Sequence, residues 1–289
     1  MTIVDDSRYT RESTSHFAQL GDIRIHYHDI GSGSVLLLLH GGGPGASAWS
    51  NFHGNIAALA GTYRLLMVDQ PGFGLSDKPV HDEPQHELTT RLLVELLDHL
   101  GIDTVTPVGN SMGGAASLQF TLDHPSRVDR LVLMAPAGGS LPVTSSSPTG
   151  EGKFMIGFGL KPSPTLDDMR ELVNTLTYDG ASIPDSVVAE RHSAATDPEA
   201  QAYNVRMFQN WMKSGRAPKQ WRRVDEIEKD TLLLWGREDA ILPLDSALHM
   251  AHSIRKARLV VLPLCGHWVM IEQARAFEYQ ILQFMDETN

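Results

Sequence analysis

The stretch Val105-Thr-Pro-Val-Gly109-Asn-Ser111-Met-Gly113-Gly-Ala-Ala116 decides the fold. A short β-rich run ends in the pattern Gly-x-Ser-x-Gly, and small residues compatible with a helix follow at once. The glycines on either side of Ser111 remove steric conflict, so the chain can turn sharply there. We expect the serine at the tip of a strand-to-helix turn, with its hydroxyl exposed above a sheet. The amides that open the next helix would then point at whatever the serine attacks.

The charge and the cysteine count exclude several classes of protein. The 289 residues carry 35 acidic and 24 basic side chains, a formal charge of −11. This charge argues against a general nucleic-acid binder, and an anionic substrate would need its own buried cation. A single cysteine, Cys265, excludes an intrachain disulfide and fits a reducing cytosol. The polar N-terminus lacks an apolar signal core, and Val35–Leu39 is too short to span a bilayer. We expect a cytoplasmic protein with no nucleic-acid or membrane partner.

Short apolar runs alternate with helical patterns along most of the chain. Strands are predicted at residues 35–39, 64–68, 105–108, 131–134, 231–235 and 258–262. Helices are predicted at residues 51–59, 88–100, 115–122 and 274–284. This alternation predicts an α/β fold with a mainly parallel, doubly wound sheet. Ahead of it, Ile23, Ile25 and Tyr27 alternate with polar residues and predict a half-exposed antiparallel strand. The residues up to about Ser15 are expected to be loose.

The alternation breaks between residues 137 and 225, which are rich in Gly, Ser, Pro and Met. Helical patterns recur there at 166–176 and 186–195, but no strand pattern does. We interpret this segment as a mostly helical cap, or lid, inserted into the α/β core. The predicted core is therefore made of residues 1–136 and 226–289.

Three residues in separate parts of the chain predict a catalytic triad. A serine hydroxyl is a poor nucleophile without a base, and the base needs an acid to orient it. Asp239 follows one predicted strand and His267 the next, in the order Ser…Asp…His that accompanies this type of turn. The carboxyl ends of adjacent parallel strands border the ligand crevice, so Ser111, Asp239 and His267 should converge. The alternatives are Asp239 as a turn residue, Glu238 as the acid, and His267 as a core histidine.

The glycine-rich loop His40-Gly-Gly-Gly43 supplies what a triad lacks. Acyl transfer develops negative charge on a carbonyl oxygen, and preorganised N–H donors stabilise that charge. We expect the Met112 amide, directly after the nucleophile, to be one donor of this oxyanion hole. The second donor is expected to be the amide of Gly42. The alternative is that the loop is only a tight turn.

These motifs resemble those of a known family, the meta-cleavage product hydrolases, which are α/β-hydrolases acting on ring-opened aromatic compounds. The glycine loop and the serine turn occur across the superfamily, whereas Asn51, Asn110 and Trp268 point to this group. The resemblance covers nearly the whole chain and is poorest in the cap. It rests on His40-Gly-Gly-Gly-Pro-Gly45, Trp49-Ser-Asn51-Phe, Asp69-Gln-Pro-Gly-Phe-Gly74, Gly109-Asn-Ser-Met-Gly-Gly114, Trp235-Gly-Arg-Glu-Asp239, Pro243-Leu-Asp245 and Cys265-Gly-His-Trp268.

The resemblance implies a C–C bond hydrolase for 2-hydroxy-6-oxo-hexa-2,4-dienoates, with an aryl or larger group at C6. The products would be 2-hydroxypenta-2,4-dienoate and a carboxylic acid. The substrate carboxylate calls for a cap arginine, and Arg191 matches its position; the alternative is a surface helix arginine. The other implied substrate-binding residues are Gly43, Asn51, Asn110 and Trp268. The resemblance favours a homodimer or larger assembly. We expect no cofactor and no metal, since the histidines lack spacing such as His-Glu-x-x-His.

Two departures from the family pattern bear on the group at C6. Gly180-Ala181 stands where relatives carry a polar residue, and His192 stands where they often place an aromatic. Several apolar cap residues either line a pocket for this group or form the core of the cap, namely Phe154, Met155, Phe158, Met207, Phe208 and Trp211. Two other functions fit the same motifs: a carboxylesterase using the same triad, and a small-ligand receptor without turnover.

Overall fold

A single eight-stranded sheet runs through the centre of the protein. In this computed structural model the described residues are 9–139, 149–161, 163–214 and 219–287, with residues 211–214 described by backbone alone. The strands are β1 (Ser15–Leu20), β2 (Ile23–Ile30), β3 (Val35–Leu39), β4 (Arg64–Val68), β5 (Thr106–Asn110), β6 (Leu131–Met134), β7 (Thr231–Gly236) and β8 (Ala257–Leu262). Their spatial order is β1-β2-β4-β3-β5-β6-β7-β8. The strands from β3 to β8 are parallel to one another, and β2 runs antiparallel to both of its neighbours, β1 and β4. The predicted mainly parallel sheet is confirmed.

Helices cover the sheet and fill the segment between β6 and β7. They are α1 (Ala48–Phe52), α2 (Ile56–Leu59), α3 (Gln85–His99), α4 (Met112–Asp123), α5 (Gly150–Gly159), α6 (Leu166–Leu176), α7 (Asp185–Ala195), α8 (Pro198–Ser214), α9 (Asp245–Ser253), α10 (Val269–Glu272) and α11 (Ala274–Asp286). Among the described residues, no helix is both long and apolar enough to cross a bilayer.

The continuous apolar run of β3 is buried on both faces of the sheet. Leu36 and Leu38 pack in a cluster with residues of α1, α2 and α11. Leu37 and Leu39 pack in a second cluster with residues of α3 and α4. Because successive side chains of a strand point to opposite faces, a strand covered on both sides must be apolar throughout. This two-sided burial fixes β3 in the middle of the sheet and its carboxyl end beside that of β5.

The expectations for the N-terminal strands are partly wrong. The sequence pattern missed β1 and predicted β2 as half-exposed, yet His26 and His28 are each 1% exposed. His26 Nδ1 lies 2.8 Å from Asp69 Oδ2, and His28 Nδ1 lies 2.8 Å from Thr14 Oγ1. Buried polar groups are tolerated when they are hydrogen-bonded, so polar residues here do not mark an exposed face. Burial lowers the pKa of His28 to about 4, which keeps its ring neutral. Thr14 is therefore not loose; residues 1–8 lie outside the described part.

The predicted turn at Ser111 is confirmed. Only Ser111 separates β5 from α4, and its backbone has φ 53° and ψ −111°. A non-glycine residue with positive φ is strained and needs its surroundings to hold it. The Ser111 amide donates to the Met134 carbonyl at 3.0 Å, and its carbonyl accepts from Ala115 at 3.0 Å and Ala137 at 2.9 Å. The strain is thus held by bonds to β6 and to α4.

The glycines around Ser111 are required by close packing. A Cβ added at Gly109 would lie 2.4 Å from the Gly113 carbonyl oxygen. One added at Gly113 would lie 2.2 Å from the Leu39 carbonyl oxygen, and one at Gly114 would lie 2.6 Å from Pro136 Cβ. Real Cβ atoms do not approach backbone oxygens this closely. The first turn of α4 therefore rests directly on the ends of its neighbouring strands.

The described residues between β6 and β7 contain four α-helices, α5 to α8. Of these, α6 has the predicted bounds and α7 begins one residue before the prediction, whereas α5 and α8 were not predicted. The glycine-rich α5 lacks the regular apolar spacing on which such predictions depend. The division into a core (1–136 and 226–289) and a cap (137–225) stays a prediction, and we use these names for the two parts below.

We predict that Gly113→Ala lowers the free energy of unfolding by about 3 kcal/mol, the upper range for forcing an atom into a packed site. Alanine is the better helix former by about 1 kcal/mol, but the contact with the Leu39 carbonyl outweighs that gain. Urea denaturation followed by circular dichroism measures the difference. The matched control is Gly61→Ala, where an added Cβ meets nothing within 4 Å. Equal stability of the two variants would contradict the packing argument.

Candidate active site

The expected acid and base meet in a direct, buried contact. Asp239 follows β7 and His267 follows β8, at the carboxyl ends of adjacent parallel strands. His267 Nδ1 lies 2.7 Å from Asp239 Oδ2, with side chains 3% and 0% exposed. The other oxygen, Asp239 Oδ1, accepts from the amides of Ile241 and Leu242, each at 2.9 Å. The carboxylate is therefore fixed from both sides, and it holds the Nδ1 proton so that Nε2 is the basic nitrogen.

The competing acid, Glu238, is directed elsewhere. Its Oε2 accepts from the Cys265 amide at 3.1 Å, and its Oε1 pairs with Arg237. Cys265 itself is fully buried, and burial raises the pKa of its thiol. These contacts make Glu238 a support for the loop that precedes His267. Its carboxylate contacts the loop backbone and a surface cation, whereas that of Asp239 contacts the imidazole.

The glycine loop lies against the expected nucleophile. A Cβ added at Gly41 would lie 3.5 Å from Ser111 Cβ, and one at Gly42 would lie 3.2 Å from both Met112 Cβ and Met112 Sδ. The two amides expected to form the oxyanion hole therefore belong to residues in contact. Within the described ranges, no hydrogen bond uses the amide of Gly42 or Met112. Both donors are thus available to a substrate oxygen.

His40 fixes the direction of the peptide group that carries the Gly42 amide. Its Nδ1 lies 2.8 Å from the Gly41 carbonyl oxygen and its Nε2 lies 3.0 Å from the Gln70 amide nitrogen. A backbone amide only donates, so Nε2 accepts and Nδ1 carries the proton. Burial lowers the pKa of His40, which keeps the ring neutral. Because the C=O and N–H of a trans peptide point in opposite directions, this bond turns the Gly42 N–H away from His40.

The preceding peptide group is held in the same way. The His40 carbonyl accepts from Gln70 Nε2 at 2.6 Å, and the Gly41 amide donates to Asn51 Oδ1 at 3.3 Å. Of the four polar groups in these two peptides, only the Gly42 N–H is left for a ligand. The sequence motifs single out His40 and Asn51 and include Gln70 without a role. The position of Gln70, two residues after the carboxyl end of β4, was the signal that could have found it.

The two asparagines expected to bind substrate donate to the protein scaffold. Asn51 Nδ2 donates to the Ser47 carbonyl at 3.1 Å. Asn110 Nδ2 donates to the carbonyls of Met134 and His267, each at 3.2 Å, and thereby ties β5 to the histidine loop. The Asn110 Oδ1 is buried and has no partner among the described residues. It lies 2.6 Å from where a Cβ on Gly41 would be, so this acceptor faces the glycine loop.

Arg191 of α7 is a buried cation beside the glycine loop. It is 6% exposed, so the alternative of a surface arginine is wrong. Its guanidinium Cζ lies 4.9 Å from the centre of the Trp268 ring, and its Nη2 would lie 3.6 Å from a Cβ on Gly43. Burial lowers the pKa of Arg191 to about 10, which leaves it charged at neutral pH. Its Nε has no hydrogen-bond partner in the described part of the chain. A buried cation with an unsatisfied donor is costly, so an anion beside Arg191 would be favourable.

Comparison with known proteins shows the family of the chain. A family model for the alpha/beta hydrolase fold matches residues 35–274. The 2-hydroxy-6-oxo-6-phenylhexa-2,4-dienoate hydrolase of Burkholderia cepacia is 35% identical over 99% of each chain. The 2-hydroxy-6-oxononadienedioate/2-hydroxy-6-oxononatrienedioate hydrolase of Comamonas testosteroni is also 35% identical over 99% of each chain. A meta-cleavage product hydrolase from Pseudomonas fluorescens superposes with a TM-score of 0.85 at 30% identity, covering 96% of this chain and 100% of its own. The chain belongs to the meta-cleavage product hydrolases, within the α/β-hydrolase fold.

The apolar cap residues of this hydrolase divide between two clusters. Phe158 is buried in the main core cluster, and Phe154 and Met155 pack against it. Met207 packs instead with Ala46, Phe73, Tyr203 and Met112, the residue after the nucleophile. We call this second group the Met112 cluster. Phe208 is buried against Gly159, where an added Cβ would lie 2.2 Å from its ring. The side chain of Trp211 lies outside the described residues.

The two departures from the family pattern both lie away from the triad contacts. His192 Nε2 lies 2.9 Å from the Pro164 carbonyl oxygen, a bond within the cap. Gly180 and Ala181 line a cavity of about 590 Å³ together with Arg170, Asn174, Tyr178, Asp179 and Asp185. None of these residues belongs to the Met112 cluster. In this hydrolase, the residues that depart from the family pattern, His192 and Gly180-Ala181, therefore lie among other residues of the cap.

We predict that two substitutions of His40 separate its two ring nitrogens. Asparagine places an amide nitrogen near Nδ1 and keeps the donor to the Gly41 carbonyl, whereas glutamine reaches the Nε2 position and loses that donor. His40→Gln should lower kcat for a nitrophenyl ester by about 10-fold to 100-fold, approaching the loss of an oxyanion donor. His40→Asn should keep most of its kcat.

Both His40 variants should lose similar stability, about 1–3 kcal/mol, because each leaves one buried group unpaired. Comparing unfolding midpoints with steady-state rates separates the two effects. Equal kcat values in the two variants would show that the Gly41 carbonyl bond does not shape the oxyanion hole.

Proposed function

We propose that this hydrolase cleaves the C5–C6 bond of 2-hydroxy-6-oxo-hexa-2,4-dienoates that carry an aryl or larger apolar group at C6. The products are 2-hydroxypenta-2,4-dienoate and a carboxylic acid, as expected in the degradation of aromatic compounds. The observation that carries the proposal is Arg191, a buried cation with an unpartnered Nε beside the glycine loop. A neutral ester offers nothing to this cation, whereas a 2-oxo acid offers a carboxylate that a guanidinium can bind through two hydrogen bonds.

The mechanism begins with the two ends of the substrate held apart. Arg191, over Trp268 and beside Gly43, binds the carboxylate end, and the amides of Gly42 and Met112 receive the C6 carbonyl oxygen. Asn110 Oδ1, a buried acceptor that faces the glycine loop and has no partner among the described residues, accepts from the 2-hydroxy group of the dienol. Ketonisation of the dienol moves a proton to C5 and makes the 2-oxo acid an electron sink.

Cleavage then follows with His267 moving the protons. Ser111 adds to C6 as its proton passes to His267, and the oxyanion hole stabilises the tetrahedral intermediate. The intermediate collapses by breaking the C5–C6 bond, and the electron pair delocalises into the 2-oxo acid, where it is protonated from His267. Water, deprotonated by His267, hydrolyses the acyl-serine and releases the second acid. Asp239 stabilises the imidazolium in both halves.

The Met112 cluster supports an apolar group at C6. Its members, Ala46, Phe73, Tyr203, Met112 and Met207, are uncharged and adjoin the oxyanion hole from the side of Met112. A group attached to C6 must extend from the oxyanion hole, and an apolar lining favours an aryl over a carboxyalkyl group.

The cytoplasmic location and the homodimer or larger assembly expected from the sequence stay predictions, and size-exclusion chromatography tests the expected assembly.

The proposal is tested with a panel of yellow dienoates carrying methyl, phenyl or carboxyethyl groups at C6. We expect the colour to decay with a kcat/KM that is highest for the phenyl compound, because it fills the apolar lining. Ser111→Ala should abolish the decay. Persistent colour with rapid hydrolysis of a nitrophenyl ester would favour the carboxylesterase, and binding without any turnover would favour the receptor.

We predict that Arg191→Gln separates the dienoate from a neutral ester. The loss of one charge-assisted contact, about 1.5–3 kcal/mol, should lower kcat/KM for the dienoate by about 10-fold to 100-fold. Turnover of a nitrophenyl ester should change little, since the triad and the oxyanion hole remain. The matched control is Arg258→Gln, which removes an exposed arginine of β8 that pairs with Glu287. Equal losses on both substrates would remove the carboxylate-binding role.

A further inference from the structure

A second carboxylate binds the loop that carries His267. Glu272, at the end of α10, accepts three backbone hydrogen bonds. Its Oε2 accepts from the Gly266 amide at 3.0 Å, and its Oε1 accepts from the Trp268 amide at 3.1 Å. These are the residues directly before and after His267. One side chain therefore holds the backbone on both sides of the expected catalytic base.

The same carboxylate also binds the cap. Glu272 Oε2 accepts from the Tyr178 amide at 2.6 Å, two residues after the end of α6. Next to this bond, the His267 amide donates to the Leu176 carbonyl at 2.8 Å. A Cβ added at Gly266 would lie 2.8 Å from the Tyr178 nitrogen, so the two segments are in close contact. The cap and the histidine loop thus meet at Glu272.

The chemistry of Glu272 fits an anion in this place. Three N–H donors converge on two oxygens, and a carboxylate has acceptor sites for all of them and no donor to conflict. Burial raises the pKa of Glu272, while the three amides and His267 oppose that shift. A protein that raises the pKa of an acid on folding loses stability as the pH rises and the acid ionises. The charge of Glu272 therefore does not stabilise the fold. What the Glu272 carboxylate contributes is the position of the three backbone amides that it binds.

We propose that Glu272 is a positioning residue for the triad, which fixes the backbone of His267 and joins it to the cap at Tyr178. The imidazole then keeps its place relative to Ser111 while the cap admits substrate and releases products. The inference rests on the proposed function because it concerns the same base. It assigns Glu272 no contact with the substrate.

The test is Glu272→Gln, which keeps the size of the side chain but sets an NH₂ group against at least one backbone N–H. We expect kcat to fall at least 10-fold for both the phenyl dienoate and a nitrophenyl ester, with KM within about twofold, because His267 serves both reactions. The matched control is Glu278→Gln in the next helix, whose carboxylate accepts from Asn55 Nδ2 at 3.0 Å. Its kcat should equal that of the parent.

Amide hydrogen exchange gives a direct readout of the tie. The amides of Gly266, Trp268 and Tyr178 should all exchange faster in Glu272→Gln and stay unchanged in Glu278→Gln. Faster exchange with an unchanged kcat would reduce Glu272 to a structural role and overturn the proposal. A rise in KM at constant kcat would also overturn it, since that result assigns the residue to the cap alone.

A milder variant keeps the inference testable should Glu272→Gln fail to fold. Glu272→Asp retains the charge but is one methylene shorter, so it cannot reach all three amides, and its kcat should lie between those of the parent and Glu272→Gln. A parental kcat in Glu272→Asp would contradict the proposal. The nitrophenyl ester distinguishes failure of the proposed function from failure of the proposed role of Glu272. If the parent protein is active only on the ester, the proposed dienoate activity is wrong. The ester kcat of the Glu272 variants then still tests whether Glu272 positions His267.

Discussion

The positive φ of Ser111 is the constraint on which the rest of the structure depends. A serine is stable in that conformation only when its neighbours hold it there. The ends of β3 and β6 do so, because Gly113 lies against the Leu39 carbonyl and the Ser111 amide donates to Met134. Those strands are in turn aligned by leucines buried on both faces of the sheet. The packing of the core thus sets the place of one hydroxyl.

The proposed Gly42 donor of the oxyanion hole is the group that remains when the other hydrogen-bonding groups around it are paired. Buried backbone groups are nearly always paired, so an unpaired amide in such a loop is a reserved donor. His40, Gln70 and Asn51 engage three of the four polar groups in two successive peptides, and the Gly42 N–H remains. The same argument from an unpaired buried group applies to the charged side chain of Arg191. In a chain of net charge −11, its buried guanidinium has an Nε without a partner among the described residues, which is why we propose that it binds an anionic substrate.

Motif order predicted that Asp239 and His267 would come together, but not the contacts that surround them. The bounds of β4, β6 and α6 follow from apolar spacing alone, since each buries a regular face. The helix α5 escaped prediction because its glycines break that spacing, and β1 and α8 escaped it as well. The contacts of His40 and Glu272 were also invisible, because a hydrogen bond to a residue far along the chain leaves no periodic trace. Local patterns encode elements, whereas the geometry of a site depends on their long-range packing.

The single cysteine of the chain lies two residues before His267. Its thiol is fully buried and burial raises its pKa, so access to the sulfur and the thiolate fraction are both low in this conformation of the histidine loop. A thiol reagent can therefore modify Cys265 only during excursions in which that loop opens. The rate at which the reagent modifies Cys265 therefore measures how often the loop opens, without an introduced label. The protein carries its own reporter on the segment that controls its base.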